Sequence, residues 1–319
     1  MQIVKIEITK INYMKKYSLY ALICIFMMAC NGKSDDSKKS EKSESSNNVT
    51  TTKSDSKQLN ISILLDLSNR IDTTLNPTIP QHYLRDIEIV KSISNYFVND
   101  MKKRGAFNSN GKIQVIFTPT PNDPNVNLCA QKLNVDCSTM SNVQKKEVFN
   151  SITKTFTENL TKIYNQTMID KNWCGSDIWR FFKDDVDMCV DKKENYRNVL
   201  VIVTDGYIYH KNTVLNEKDR YSYISPQILT KYKLRNNPNW ESDITKTDFG
   251  LISKRKDLAN LEVLVLEVSS YSEKYKSDED VIKYILTKWF SEMGIKRNGL
   301  YYSDLPVHTQ KRIVDFFGN

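Results

Sequence analysis

The hydrophobic pattern of the chain alternates between short continuous apolar runs and longer segments in which apolar residues recur every three or four positions. Continuous runs of Ile, Leu and Val are typical of strands buried on both faces of a sheet. Such runs occupy residues 61–65, 113–117, 199–203 and 261–268, with a shorter one at 300–302. Spacings of three and four instead indicate amphipathic helices that bury one face.

Helical spacing follows the predicted strands. Apolar residues recur at helical spacing within 87–101, 149–163, 281–293 and 313–317, and the first and third of these helices are expected to end near Gly105 and at Gly294. A further helix is expected from 177 to 188. Residues 207–250 show no sustained period and are predicted to be an irregular insertion. Because strands and helices alternate, the chain predicts an α/β fold: a doubly wound, mostly parallel sheet flanked by helices.

The beginning of the chain has a different character. Met14-Lys15-Lys16 precedes a short apolar stretch at 17–29, which Cys30 follows directly. The stretch is too short to span a bilayer and has the form of a signal-peptide core. A small residue before a cysteine resembles the lipobox of bacterial lipoproteins. We therefore predict a signal peptide at 1–29, with Met14 as the more natural start, and lipidation of Cys30. An ordinary signal peptide or an anchor helix is the alternative.

Residues 30–58 consist largely of Ser, Lys, Glu, Asn and Thr. Such a composition buries too little apolar surface to offset its ordering entropy, so a disordered tether is expected. Ser34-Asp35-Asp36 is similar to the acidic export signal of Bacteroidetes surface lipoproteins, although a plain solvated linker has the same composition. The expected location is lipid-anchored in the outer membrane, periplasmic or surface-exposed.

Composition supports one folded region at 59–319. The chain is 39% hydrophobic and 10% aromatic, which is enough for a sizeable core after residue 58. The net charge of +8 is not gathered into a dense Lys/Arg block. Because a phosphate-tracking surface should be clustered, nucleic-acid binding is not expected.

The cysteines suggest an oxidising compartment. Beyond Cys24 in the signal and Cys30 at the anchor, the cysteines of the folded region are Cys129, Cys137, Cys174 and Cys189. Exported proteins meet little reductant, so disulfides are favoured over thiols. The local pairing would join Cys129 to Cys137 and Cys174 to Cys189, but the sequence leaves the pairing open. No paired Cys or His spacing indicates zinc.

Polar residues follow two of the predicted strands. Asp66 and Ser68 come after the first strand, and Thr204-Asp205-Gly206 closes the run at 199–203. Gly175-Ser176 opens the helical segment between them. The carboxyl ends of parallel strands meet at one edge of a sheet, where open α/β folds bind ligands. Carboxylate and hydroxyl oxygens together suit a hard cation such as Mg²⁺.

These residues resemble the metal-ion-dependent adhesion site of the von Willebrand factor type A (VWA) family, over roughly residues 60–319. That site reads Asp-x-Ser-x-Ser, then a Thr, then an Asp within Thr-Asp-Gly. Asp66 and Ser68 match the first motif, Ser176 stands at the Thr position and Asp205 matches the last. The resemblance implies that these four hold Mg²⁺, or Mn²⁺ or Ca²⁺, directly or through water. It also implies that an acidic side chain of a protein or glycoprotein partner completes the shell.

Arg70 departs from the family pattern because it replaces the second Ser. Pointing inward, its guanidinium would pair bidentately with Asp66 or Asp205 and take the place of the cation. Pointing outward, it would contact a carboxylate of the partner. The sequence leaves both orientations open.

Other polar and aromatic residues have more ordinary interpretations. Asp177 is interpreted as a helix cap, and Glu267 is expected to face a strand end or an internal partner. Trp173 and Trp179 are interpreted as core residues. A tyrosine cluster is consistent with either a recognition surface or half-buried packing; it comprises Tyr207, Tyr209, Tyr221 and Tyr223.

The sequence favours a binding protein over an enzyme. It contains no Gly-x-Ser-x-Gly elbow, P-loop or His-Glu-x-x-His motif. The predicted site also lacks a histidine or paired carboxylates poised for proton transfer. Two alternatives remain. One is a structural or assembly lipoprotein with a degenerate site, whose 207–250 insertion makes the contacts. The other is a metal-dependent phosphohydrolase with Asp66 as nucleophile.

Overall fold

The computed structural model describes residues 57–319 apart from residue 174. The predicted signal peptide, the lipidated Cys30 and nearly all of the predicted tether lie outside the described residues, as does Cys174. Within the described part of the chain, no helix combines the length and the apolar character needed to cross a membrane.

Six strands form the central sheet. In chain order, all strands of the structure are β1 (Gln58–Leu65), β2 (Lys112–Phe117), β3 (Asn134–Asp136), β4 (Gly175–Ser176), β5 (Tyr196–Val203), β6 (Tyr209–His210), β7 (Asn216–Glu217), β8 (Arg220–Tyr221), β9 (Gly250–Leu251), β10 (Leu261–Val268) and β11 (Arg297–Tyr302). The six-stranded sheet has the order β11-β10-β5-β1-β2-β3. All its pairs are parallel except β2 with β3. The chain therefore reverses its direction of travel across the sheet between β1 and β5, where a ligand crevice is expected.

Helices cover both faces of this sheet. They are α1 (His82–Asn108), α2 (Pro124–Gln131), α3 (Asn142–Asp170), α4 (Ile178–Arg180), α5 (Pro226–Lys231), α6 (Trp240–Thr247), α7 (Asp278–Glu292) and α8 (Pro306–Gly318). The predicted segment at 177–188 is less regular than expected, because α4 continues as a π-helical turn at Phe181–Asp185 and a 3₁₀ turn at Val186–Cys189. Gly175-Ser176, predicted as a turn, is instead the short strand β4.

Each face of the sheet has its own core, because successive strand residues point in opposite directions. Ile61 and Ile63 of β1 pack with side chains of α1, α3 and α8, whereas Leu64 packs on the opposite face with those of α7. The sequence prediction of an α/β architecture is confirmed. A largely parallel sheet with two helical layers is compatible with a doubly wound fold.

The insertion at 207–250 is folded, contrary to the expectation of an irregular stretch. It contributes β6, the helices α5 and α6, and a three-stranded sheet of β7, β8 and β9. Tyr221, Ile244 and Phe249 are buried in the same core as α7. The elements have two to eight residues each, which is too short to give a readable period.

The cysteines differ from the predicted pairing. Cys129, Cys137 and Cys189 are free thiols, so the Cys129–Cys137 bridge is not formed, and Cys189 has no disulfide partner among the described residues. Cys137 and Cys189 are fully buried, where a thiol packs as a small apolar group. Burial also raises the pKa of Cys137 to about 11 and that of Cys189 to about 12, which keeps both thiols protonated.

Candidate functional site

Asp66 ties together the carboxyl ends of β1 and β5. Its backbone N–H donates to the carbonyl of Val203 at 3.1 Å. One side-chain oxygen accepts the backbone N–H of Ser68 at 2.8 Å, and the other accepts the hydroxyl of Thr204 at 2.7 Å. With 2% of its surface exposed, Asp66 fixes the two loops in place from below and presents little surface to a ligand.

The other predicted ligands share one cavity. Ser68, Ser176 and Asp205 line a cavity of about 650 Å³ at the crevice between β1 and β5. The Ser176 hydroxyl is buried and has no hydrogen-bond partner among the described residues. One oxygen of the half-buried Asp205 accepts the backbone N–H of Tyr207 at 2.9 Å. The structure thus brings together residues that are far apart in sequence, with Asp66 buried behind Ser68.

A two-stranded ribbon holds Ser176 in position. Strand β4 pairs antiparallel with β6, so that Gly175 lies opposite His210 and Ser176 opposite Tyr209. Gly175 has φ +87°, and a Cβ at this position would lie 2.2 Å from the carbonyl oxygen of Tyr209. Only glycine fits a backbone that is both left-handed and so close to its neighbour.

Arg70 points inward, and its closest carboxylate partner is Asp86 rather than the Asp66 or Asp205 expected from the sequence. It lies in a 3₁₀ turn at Asn69–Ile71 and is 3% exposed. Its Nε donates to the backbone oxygen of Asp66 at 3.2 Å and lies 3.9 Å from that residue's carboxylate. Its Nη2 donates instead to Asp86 of α1. The predicted bidentate pair with Asp66 or Asp205 is therefore not formed.

Asp86 is the centre of a buried network beneath the cavity. Its Oδ2 accepts hydrogen bonds from Arg70 and, at 2.8 Å, from the hydroxyl of Tyr164 on α3. Next to it, Arg85 donates to Glu267 of β10 at 2.6 Å. Glu267 is thus paired internally, which is one of the two alternatives that the sequence left open. The network connects α1 and α3 to the sheet below the site.

The charges of the site leave a surplus of negative charge. Burial by itself would lower the pKa of Arg70. The negative charges of Asp86, Asp66 and Asp205 outweigh this effect, so that the pKa of Arg70 is raised above its ordinary value. Burial raises the pKa of Asp86 to about 6 against the opposing effect of Arg70. Burial and the neighbouring charge of Asp66 raise the pKa of Asp205 to about 7. Asp205 would therefore gain most from an added cation.

Asp177 belongs to a different network from the one predicted. Its side chain makes no helix-capping hydrogen bond. It accepts hydrogen bonds from Arg180 at 2.9 Å and from Thr213 at 2.8 Å, and His210 lies 3.4 Å away. Asp177 thus joins α4 to the insertion beside the site. Trp179 is a core residue, as predicted, and its indole N–H donates to the carbonyl of Ile252 at 2.9 Å.

The residues of the cavity fit a hard cation that keeps part of its water. Within the described part of the chain, no cluster of three or more His, Cys, Asp or Glu could hold a metal. A cation here would instead depend on the Asp205 carboxylate and the Ser68 and Ser176 hydroxyls. Mg²⁺ accepts such a mixed oxygen set with one or two carboxylates. The unpartnered hydroxyl of Ser176 is the feature that such an ion would satisfy.

Sequence reasoning missed residues that hold the site together. The Thr204 hydroxyl bridges Asp66 and the backbone N–H of Gly206. Asp86 of α1 accepts from Arg70, and Tyr164 of α3 donates to Asp86 and thereby positions its carboxylate. Thr204 could have been found, because it lies inside the Thr-Asp-Gly motif. Asp86 and Tyr164 give no such signal, since each is a single polar position within an amphipathic helix.

Comparisons with known proteins add little. No family model matches the chain, and no curated protein matches it significantly. A solved structure of the pilus adhesin SpaC from Lactobacillus rhamnosus GG aligns with a TM-score of 0.39 and 12% identity, covering 82% of this chain and 30% of that one. The open conformation of SpaC aligns with a TM-score of 0.37 and 11% identity, covering 81% and 29%. The chain spans less than a third of the adhesin, and a similarity this distant carries no argument.

The shifted pKa of Asp205 predicts a pH-dependent gain in stability for Asp205→Asn. Burial and the charge of Asp66 raise the pKa of the Asp205 carboxyl in the folded protein from its ordinary value of 3.8 to about 7. The folded state therefore holds this proton more tightly, and its contribution to stability falls as the pH rises from about 4 to 7. Asparagine keeps the oxygen that accepts from Tyr207 but cannot ionise. Denaturant titration should show the variant more stable at pH 8, by at most about 4 kcal/mol for a shift of about three pKa units, and similar to the wild type at pH 4. A variant that is no more stable at pH 8 would contradict this.

Proposed function

We propose that this chain is a cell-envelope lipoprotein whose VWA-like domain binds a protein or glycoprotein partner at the carboxyl edge of the sheet, with a divalent cation in the site. One observation carries the proposal most. Ser68, Ser176 and Asp205 surround one cavity at the crevice of the sheet, where the Ser176 hydroxyl lacks a partner among the described residues. The envelope location rests on the sequence around Cys30.

The residues of this site have different roles in the proposed binding. Ser68 and Ser176 supply neutral oxygens, and Asp205 supplies the negative charge that faces the cavity. Asp66 acts from below by holding the backbone of Ser68 and the hydroxyl of Thr204. A bound Mg²⁺ would offer an open coordination position to an acidic side chain of the partner. The partner's carboxylate would otherwise be repelled by Asp205.

Calorimetry with MgCl₂ and MnCl₂ tests the cation directly. The purified protein should bind one ion, and Asp205→Ala should abolish the heat of binding. Asp170→Ala is the matched control, because Asp170 is an exposed carboxylate of a neighbouring cavity that shares Gly175 with the site. This control should bind as the wild type does. Absence of binding by the wild type, or equal loss in both variants, would reject the metal.

The orientation of Arg70 favours a second candidate function, in which the domain binds its partner without a metal ion. Its buried guanidinium lies 3.9 Å from the Asp66 carboxylate and supplies positive charge to the site permanently. In this version the domain is a structural or assembly module, and the insertion at 207–250 makes the contacts. The same calorimetry separates the two versions, because only the first requires the ion.

The geometry argues against the phosphohydrolase alternative. A nucleophilic aspartate needs a free oxygen that faces the substrate. Both oxygens of Asp66 already accept hydrogen bonds, and the side chain is almost completely buried. Binding is therefore the function that this site supports best.

A further inference from the structure

The cavity above the site has aromatic walls. Apart from Asp205, none of the described residues that line it carries a charge. Four tyrosines contribute to its walls, namely Tyr207, Tyr209, Tyr223 and Tyr271. One carboxylate beside aromatic rings is also a suitable environment for an organic cation.

Local contacts hold the rings of Tyr207, Tyr209 and Tyr223 in place and tie down the backbone of Tyr271. The hydroxyl of Tyr207 donates to Asp278 at 2.7 Å and accepts the backbone N–H of Tyr271 at 3.3 Å. Tyr209 and Tyr223 pack edge to face, with ring centroids 5.9 Å apart. Tyr209 is nevertheless 47% exposed and Tyr271 is 67% exposed. The walls are therefore positioned by the fold while part of their surface remains available to a ligand.

The size of the cavity also exceeds what a metal ion needs. Water occupies about 30 Å³ per molecule, so six waters around an ion take up roughly 180 Å³. The cavity measures about 650 Å³ and leaves room for an organic group. The faces of aromatic rings attract cations, and a carboxylate beside them adds direct charge complementarity.

We propose that the cavity binds the alkylammonium side chain of a lysine from a partner protein, with Asp205 as its counter-ion and Tyr209 and Tyr271 packing on its methylene stem and charge. This inference goes beyond the proposed function because it does not need a divalent cation. The ammonium and Mg²⁺ would compete for the same carboxylate. An aliphatic group without charge would gain no attraction from Asp205 and would bind more weakly.

The test is a calorimetric titration of the purified protein, in EDTA, with Nα-acetyl-lysine methylamide. Nα-acetyl-norleucine methylamide is the matched probe, since it has the same aliphatic chain without the ammonium. The lysine probe should bind at least about tenfold more tightly than the norleucine probe. Asp205→Asn should weaken lysine binding about tenfold or more, and Tyr271→Leu about two- to fivefold. Asp170→Asn should leave it unchanged, and added MgCl₂ should weaken it in the wild type if Mg²⁺ binds.

Equal binding of the two probes, or lysine binding that survives Asp205→Asn, would overturn the proposal. Circular dichroism of each variant verifies that it is folded, and Tyr271→Leu alters a side chain too exposed to support the core. The outcome is separable from the metal proposal. Lysine binding in EDTA with no heat from MgCl₂ alone would support the ammonium site and reject the cation.

Discussion

Arg70→Met is expected to destabilise the protein by about 3–5 kcal/mol, measured by urea titration at pH 7. Methionine fills a similar volume but leaves the buried carboxylate of Asp86 without its cation, and it removes the hydrogen bond to the backbone of Asp66. Removing one partner of a buried ion pair costs far more than the pair contributes, because the remaining charge has lost its solvation and its partner. A loss below about 1 kcal/mol would show that the network is not formed.

Two further variants identify the cause. Arg70→Met combined with Asp86→Asn should recover a large part of the loss, because no uncompensated charge remains and the amide oxygen still accepts from Tyr164. Lys91→Met removes a cation from an exposed pair with Glu88. That surface substitution should change stability by less than about 1 kcal/mol. The contrast would separate a buried network from a general effect of removing positive charge.

Gly175→Ala is expected to cost about 3–4 kcal/mol and to disrupt ligand binding. The new methyl group would meet the carbonyl oxygen of Tyr209 at 2.2 Å, at a residue with φ +87°. Strands β4 and β6 must separate to relieve the collision, and Ser176 would then leave its place at the cavity. The measurements are urea titration for stability and calorimetry with MgCl₂ and the lysine probe for binding.

Gly105→Ala is the matched control for this prediction. Gly105 also has a positive φ, +76°, but no neighbouring atom lies within 4 Å of the place that the new methyl group would take. It should show only the backbone strain, about 1–3 kcal/mol, with ligand binding unchanged. If the two variants lost equal stability, the close approach of β4 to β6 would have no energetic importance.

The main strands were readable from the sequence, and the reason is their burial. β1, β5 and β10 are covered on both faces, so their apolar runs are continuous and easy to recognise. The insertion could not be predicted, because its elements are too short to show a period and one of its strand pairs joins distant segments. Tyr221 of β8, for example, pairs with Leu251 of β9. Such pairing leaves no local period.

The candidate site, like the fold, could be predicted only in part from the sequence. The positions of Asp66 and Asp205 followed from the sequence. Asp66 comes directly after the buried strand β1, and Asp205 is the second residue after the buried strand β5. The pairing of β4 with β6, which places Ser176 at the cavity, has no sequence signal beyond the glycine. The disulfide prediction rested on compartment alone, and in the structure Cys129 and Cys137 are separate thiols.

The sequence by itself determined the α/β architecture and the edge of the sheet at which polar residues collect. The reason is that the hydrophobic period of each segment, and the alternation of strands and helices, are local features of the sequence. Only the tertiary structure decided the environment of those residues. It placed the side-chain hydrogen bond of Arg70 on Asp86, and it placed Asp205 in a cavity to which four tyrosines contribute, three of them from the insertion. The physical reason is that a side chain's partner depends on which helices and loops pack together, and those contacts join positions that no local pattern connects.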